Sequence, residues 1–222
     1  MKILSTKSIN PTQLQRLNES GIEITDYDAI SINPLDFDNN IIVPNAIITS
    51  QNAAQIIINN NILIKNCFCV GNKTKALLES HGQTVTVCKK NSLELANYIK
   101  KKHQKDAFWY FCGSKRLDDL PKILNDLNIT LEEVTVYETH YNIKTFHKPF
   151  DGVMFFSPSG IESFTKTNNL KNTITYCIGN TTAEAAKMHT DKIMIAKKPS
   201  FEAVIDLVLK DFKKNDKKRL IS

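Results

Sequence analysis

Two copies of one short pattern constrain this chain more than any other feature in it. Tyr176-Cys177-Ile178-Gly179-Asn180-Thr181-Thr182-Ala183 is matched, 108 positions earlier, by Phe68-Cys69-Val70-Gly71-Asn72-Lys73-Thr74-Lys75. Each copy is an apolar β-run, a Gly at the turn, and a polar Asn/Thr pair suited to capping the helix that follows. Such a turn points several backbone N–H groups at one spot, where the helix dipole also favours negative charge. Both copies therefore have the form needed to hold an anion, although the same pattern also serves as a plain strand-to-helix connection.

The repeat extends further. Ile47-Ile48-Thr49-Ser50-Gln51-Asn52-Ala53 matches Met154-Phe155-Phe156-Ser157-Pro158-Ser159-Gly160 at an offset of 107, and Lys89-Lys90-Asn91-Ser92 matches Lys197-Lys198-Pro199-Ser200 at 108. A second unit, Leu17 to Tyr27, recurs from Leu127 to Tyr137 at an offset of 110. The order is a-b-a-b, two copies of one α/β domain. A chain of 222 residues gives each copy roughly 110 residues, enough for its own core.

The pattern predicts strands at Lys2–Thr6, Ile22–Tyr27, from Ala46, Cys67–Val70, Val85–Cys88, Phe108–Cys112, Leu131–Tyr137 and Phe150–Phe156. Helices follow Asn10-Pro11-Thr12 and lie at about 52–59, 73–81, 93–102, 116–127, 161–167, 182–189 and 201–210, while 36–40 reads as loop or a short helix. Strands alternating with helices predict parallel sheets covered on both faces, with ligands at the carboxyl ends of the strands. A simple tandem would have one linker near residues 104–106. A swapped arrangement crosses twice, and the irregular, Pro-bearing segments at about 30–40 and 138–149 favour it. Domain 1 is then 1–32 plus 146–222, and domain 2 is 36–138.

The net charge of +6 invites a nucleic-acid reading, but Lys210, Lys213, Lys214, Lys217, Lys218 and Arg219 against Asp211 and Asp216 supply +4 of it. That run reads as a solvated helix end or tail, with no interleaved aromatics. No apolar run approaches the ~18–20 residues of a membrane span, and the first predicted strand leaves no room for a leader, so a soluble cytoplasmic protein is expected. Cys67, Cys69, Cys88, Cys112 and Cys177 fall in or beside strands with no CxxC pair, which points to reduced, buried thiols rather than disulfides or a metal site. His81, His103, His140, His147 and His189 form no triad or metal spacing, and Ser157 lacks the flanking glycines of a nucleophile elbow.

Thr49-Ser50-Gln51-Asn52-Ala53, Val70-Gly71-Asn72-Lys73-Thr74, Gly113-Ser114-Lys115-Arg116-Leu117 with Leu120-Pro121, Val136-Tyr137-Glu138-Thr139, Phe155-Phe156-Ser157-Pro158-Ser159-Gly160 and Ile178-Gly179-Asn180-Thr181-Thr182-Ala183 together resemble the uroporphyrinogen-III synthase family, in order and over nearly the whole chain. The resemblance implies two α/β lobes joined by a two-stranded ladder, with the active site in the cleft between them. It implies a monomer needing no metal or cofactor.

The implied reaction cyclises the linear tetrapyrrole hydroxymethylbilane to uroporphyrinogen III with inversion of ring D. The hydroxymethyl group leaves as water, and the resulting azafulvene is attacked by the substituted carbon of ring D. The spiro intermediate so formed fragments and recloses with that ring reversed. Such chemistry suits a site built from positioning and hydrogen bonds.

The eight substrate carboxylates would be received by backbone N–H groups near Ser50, Gly71, Ser157, Ser159, Gly179 and Thr181, with Asn52, Gly113 and Gly160 in the same motifs. Hydroxyls of Thr49, Thr74 and Thr182 can add donors. Tyr137, matching the tyrosine of the family's Val-Tyr-x-Thr motif, is the expected proton donor, since a phenol titrating near pH ~10 stays protonated at neutral pH. Its repeat partner Tyr27 allows the alternative that both tyrosines only pack. Lys115 and Arg116 could pair with propionates or sit in solvent, and Lys197 and Lys198, in register with Lys89 and Lys90, could steer carboxylates. From the residues alone, a non-catalytic two-lobed binder of a small polyanion and an RNA-binding module resting on the basic tail also stand as readings.

Overall fold

The structure, a computed structural model, describes residues 1–219, with side chains through 214. The chain opens with β1 (Lys2–Ser5), α1 (Pro11–Asn18), β2 (Glu23–Asp26) and β3 (Ile30–Pro34). There follow β4 (Ile42–Ile48), α2 (Gln51–Asn59), β5 (Leu63–Val70), α3 (Asn72–Ser80), β6 (Val85–Lys89) and α4 (Ser92–Lys102). The short unit then recurs as β7 (Phe108–Gly113), α5 (Asp119–Asp126) and β8 (Leu131–Tyr141). The long one recurs as β9 (Gly152–Phe155), α6 (Pro158–Thr165), β10 (Ile174–Cys177), α7 (Asn180–Lys187), β11 (Ile193–Ile195) and α8 (Phe201–Arg219).

Strand pairing is crossed between the repeats. The first short unit joins the second long one, because β1 lies in parallel between β2 and β9, with Ser5 opposite Asp26 on one side and Met154 on the other. The second short unit joins the first long one, with Ile47 of β4 opposite Tyr110 of β7. One sheet therefore runs β11-β10-β9-β1-β2 and the other β3-β8-β7-β4-β5-β6. The expected duplicated α/β fold with swapped pairing is the one found. By contacts the chain divides into Met1–Ser31 with His140–Ser222, here unit 1, and Ile32–Thr139, unit 2. Both boundaries fall within strands that neighbour one another, β3 and β8. Leu35 N–H donates to Val136 C=O and Asn142 N–H to Ala29 C=O, so this pair runs antiparallel.

Each unit is a sheet with helices on both faces, and alternation along the strands divides the core in two. In unit 2, Val43, Ala46, Ile48 and Phe111 pack with Ala53, Ile57 and Leu78 of α2 and α3. Ile47, Phe68, Phe108 and Tyr110 pack on the opposite face with Leu95, Ile99, Leu120 and Leu124 of α4 and α5. In unit 1, Ile3, Met154 and Tyr176 meet Val204, Ile205 and Val208 of α8, whereas Leu4, Val153, Phe155 and Cys177 meet Ile161, Phe164 and Ala183 of α6 and α7. Tyr176, fully buried, donates its hydroxyl to Asp211 at 2.7 Å and so fastens α8 to β10.

Several elements depart from the sequence expectation. Helix α5 starts at Asp119 rather than near Arg116, β8 continues to Tyr141 rather than stopping at Tyr137, and the three-residue edge strand β11 was not expected. Residues 35–41 hold neither helix nor strand. Helix α8 continues to Arg219, well past Lys210. Of the basic run, the side chains of Lys217, Lys218 and Arg219 lie outside the described residues.

Candidate functional site

Parallel sheets in which the strand order reverses leave a crevice at the carboxyl ends of the two strands on either side of the reversal. In unit 2 those strands are β4 and β7. Strand β4 runs out through Thr49 and Ser50, whose side chains alternate to opposite faces of the sheet. Each finds a tyrosine. Thr49 Oγ1 lies 3.0 Å from the Tyr110 hydroxyl, and Ser50 Oγ lies 3.3 Å from that of Tyr137. Burial pushes the Tyr110 phenol up to about 12, against the opposing effect of its bond to Thr49. Ser50 also caps α2 by accepting the Ala53 N–H at 3.0 Å.

Tyr137 reaches Ser50 because of an irregularity in the β7–β8 ladder. Cys112 stands opposite Thr135, but the next residue, Gly113, stands opposite Tyr137, so β8 carries one extra residue. Plain alternation after Val134 and Val136 would send Tyr137 to the α4/α5 face. The bulge re-aims it, and Val136 and Tyr137 are buried in the same cluster on the α2/α3 face. There the ring lies directly on Gly113, where a Cβ would come within 2.3 Å of ring carbons Cε2 and Cζ. Ser114 N–H closes the turn on the Tyr137 carbonyl at 2.9 Å. Tyr137 is 9% exposed.

The second helix start in unit 2 is built differently. Gly71 is the N-cap of α3 and makes no side-chain cap bond, with Asn72 already the first helical residue. The expectation that the Asn/Thr pair would cap is therefore corrected. Asn72 is one position too far into the helix to turn its amide back, and Thr74 is buried at 4% exposure. The first-turn N–H groups of α3 have no intrahelical acceptor and no side chain folded onto them. Gly71 itself is fixed by donating its N–H to the Lys89 carbonyl at 2.9 Å.

Unit 1 repeats this plan. Ser157 caps α6 by accepting the Gly160 N–H at 3.0 Å, with Pro158 and the half-buried Ser159 in the first turn. Thr6, 5% exposed at the end of β1, donates its hydroxyl to the Met154 carbonyl at 2.8 Å. Gly179 is the N-cap of α7, again with no side-chain cap, while Thr181 is exposed and Thr182 buried. So the Asn180/Thr181 pair does not cap either.

The two glycines of the repeated motif occupy their positions for different reasons. Gly71 has φ +85 and ψ 138, a conformation costly for a side chain, whereas Gly179 is extended at φ −173. A Cβ would meet nothing within 4 Å at either. Gly71→Ala is expected to lower stability by about 2 kcal/mol through backbone strain alone. Gly179→Ala should stay within about 0.5 kcal/mol of wild type. Urea melts of the two variants check this, and equal losses would refute it.

The tyrosines of the repeat also differ. The Tyr27 hydroxyl is buried with no hydrogen-bond partner, and burial pushes its phenol up to about 12. Its ring packs edge-on against Phe146 at 5.2 Å. Ser157 thus has no bonded tyrosine as Ser50 does.

Of the other residues picked out from the sequence, Asn52 is exposed in the first turn of α2. Arg116 sits in the loop before α5, bonded through Nε to Glu133 at 2.5 Å and through its terminal nitrogens to Glu133 and Asp118. Partial burial alone would push this guanidinium down, but the two carboxylates hold it above its usual value. It is thus neither a bare cation nor a solvated one. Lys89 lies over the Tyr98 ring at 4.5 Å. Tyr110 and Thr6 were missed, since a hydroxyl inside an apolar run gives no sequence signal. All five cysteines are free, four of them buried. Among the described residues no group of three or more His, Cys, Asp or Glu side chains could hold a metal ion, and no helix is long and apolar enough to cross a membrane.

Comparison with known proteins places the chain. The profile of the family described as uroporphyrinogen-III synthase HemD matches residues 13–206. The chain belongs to the HemD family. Over 103 residues it is 33% identical to the porphyrin biosynthesis protein HemD of Ruminiclostridium josui, a match that takes in 41% of this chain and 20% of that protein. The chain thus spans about a fifth of the length of that curated HemD relative. Among solved HemD-like folds, uroporphyrinogen-III synthetase of Helicobacter pylori 26695 superposes with a TM-score of 0.65 at 22% identity, over 94% of this chain and 98% of its own. A mutant uroporphyrinogen III synthase from the extremely thermophilic bacterium Thermus thermophilus superposes at 0.70 and 10% identity, over 98% and 99%. At these identities the likeness is one of fold.

Proposed function

We propose that the chain is a uroporphyrinogen-III synthase, a cyclising lyase that converts hydroxymethylbilane to uroporphyrinogen III with inversion of ring D and loss of water. The observation that carries this reading is the Ser50–Tyr137 hydroxyl pair at the strand-order reversal of unit 2, in a chain of the HemD family. Tyr137 donates its proton to the departing hydroxyl, so that water leaves as the pyrrole nitrogen lone pair forms the azafulvene. The carbon of ring D then closes on it, and the spiro intermediate breaks and recloses with ring D reversed. The proton released when the ring regains its aromaticity balances the one donated, so no net acid is consumed. The reaction changes no redox state, and the reading asks for no metal or organic cofactor.

Carboxylates of the substrate are assigned to the uncapped first turns at Asn72 and Lys73 in α3, with Gly71 shaping the turn while its own N–H stays on Lys89, and at Gly179, Asn180 and Thr181 in α7, where backbone N–H groups and the helix dipole favour an anion. Ser157 and Ser159 at the start of α6, and Thr49, Ser50 and Asn52 at the start of α2, complete the assignment through the backbone, with Gly160 holding the Ser157 cap and the Ser50 hydroxyl left to Ala53 and Tyr137. Thr74 and Thr182, both buried, act by shaping those turns rather than by lending hydroxyls. Arg116, neutralised by Glu133 and Asp118, acts by fixing the Gly113 turn. The enzyme is further taken to work as a monomer in the cytoplasm.

The test is the isomer ratio of porphyrin formed when purified protein meets hydroxymethylbilane generated in situ, read by chromatography after oxidation. A clear excess of type III is expected. Type I alone, at the rate seen without protein, would overturn the proposal.

A further inference from the structure

We infer that Ser50 is a positioning residue that fixes the direction of the Tyr137 proton; the inference rests on the synthase reading for its kinetic consequence but not for its geometry. Ser50 Oγ makes two contacts among the described residues, to the Ala53 N–H at 3.0 Å and to the Tyr137 hydroxyl at 3.3 Å. An amide N–H can only donate, so Ser50 accepts there; placing its own hydrogen on the Tyr137 oxygen, the one acceptor among these contacts, satisfies that hydrogen within the protein, whereas the reverse direction would leave it to solvent. A phenol hydrogen lies near the ring plane on one side or the other of the C–O bond. With Ser50 donating on one side, the Tyr137 hydrogen is turned to the side away from Ser50.

The backbone determines this arrangement at both ends. Ser50 is held by its place as N-cap of α2, and the Tyr137 ring is held flat on Gly113 by the β8 bulge. Unit 1 supplies the internal contrast. Ser157 keeps the cap, but the Tyr27 hydroxyl has no partner, so the duplicated plan yields a directed phenol only once.

A cap and a proton-directing donor are separated by a double-mutant cycle with Tyr137→Phe. Ser50→Ala is expected to lower kcat about tenfold, the effect of one lost hydrogen bond in the transition state, with KM within about twofold. On the Tyr137→Phe background the same change should alter kcat by less than about twofold. Ser50→Thr, which keeps both cap and hydroxyl, should restore kcat to within about threefold of wild type. The melting temperature should fall on both backgrounds, because the cap is lost in both, and further with Tyr137 present, where the hydroxyl bond is lost as well. Ser50→Gly, which caps nearly as well but has no hydroxyl, serves if the alanine variant folds poorly.

Equal kcat losses on the two backgrounds, a change confined to KM, or no change would each overturn the inference. A second readout does not need turnover. With 13C-labelled tyrosine, the Tyr137 Cζ resonance should move in Ser50→Ala with the sign of a lost hydrogen bond into the phenol oxygen, and return in Ser50→Thr. An unmoved resonance, or one of opposite sign, refutes the assigned direction. Absence of type III product from the wild-type protein would sink the synthase reading, and the resonance would still decide the direction of the proton.

Discussion

Gly113→Ala is expected to be the most damaging single-methyl substitution in unit 2, lowering stability by about 3 kcal/mol, the upper part of the range for overpacking a core, and removing type III formation. The added Cβ falls 2.3 Å from Tyr137 Cε2 and Cζ and 2.7 Å from its hydroxyl oxygen. Real carbons do not approach so closely, and this ring is not a flexible chain end that can swing aside. It is 9% exposed, packed in a cluster with Val136 and Phe111, and sits on a bulge whose register would have to change. A urea melt gives the size of the loss. Its origin is tested by repeating Gly113→Ala on a Tyr137→Ala background, where the ring is gone and the methyl should cost less than about 1 kcal/mol. The same cost on both backgrounds would mean that the Tyr137 contact is not the cause.

Tyr137→Phe is expected to lower kcat for type III formation roughly a hundredfold, the lower end of what a positioned general acid contributes, while leaving KM and the fold little changed. Some turnover survives because the positioning of the substrate does not depend on the phenol. Since the substrate closes uninverted without help, the isomer ratio should shift toward type I as the catalysed route slows. Tyr27→Phe is the internal control. Its hydroxyl is buried without a partner, so removing it should leave kcat within about twofold and, by relieving an uncompensated desolvation, raise stability by about 1 kcal/mol. A Tyr27→Phe loss as large as that of Tyr137→Phe would refute the division of roles between the two tyrosines.

The duplication, the strand–Gly–helix turns and the crossed pairing were legible because each rests on local chemistry: apolar runs, a Gly at the turn, and irregular Pro-bearing stretches at 30–40 and 138–149. The direction of Tyr137 was not. Counting by twos from Val134 sends its ring to the wrong face, and only the register slip opposite Gly113 reverses it. The start of α5 was misplaced for a related reason. The spacing of Leu117, Leu120 and Leu124 fits a helix from Arg116, but the guanidinium is drawn to Glu133, a strand residue 17 positions on, and the helix waits until Asp119. The capping role expected of Asn72 and Asn180 failed because Gly71 and Gly179 take the cap position themselves. β11 was overlooked since three residues followed closely by Lys197 and Lys198 carry too little alternation to register.

The crossed pairing of strands has a consequence for how the polypeptide matures during synthesis. Strand β4 meets β7 after some 60 intervening residues, so unit 2 can close as soon as β8 has emerged. Strand β1 must wait much longer, because its partner is β9; Thr6 and Met154, which bond across that junction, are 148 positions apart. At about 5–20 residues per second of translation, β1 and its apolar residues Ile3 and Leu4 spend on the order of ten seconds or more without their partner. Among these strands the order of synthesis and the order of burial are thus reversed, since β1 is made before every strand of unit 2 and is buried after them. That interval, with an unpaired apolar edge beside a finished neighbour, is when the nascent chain is most exposed to aggregation and most in need of a chaperone.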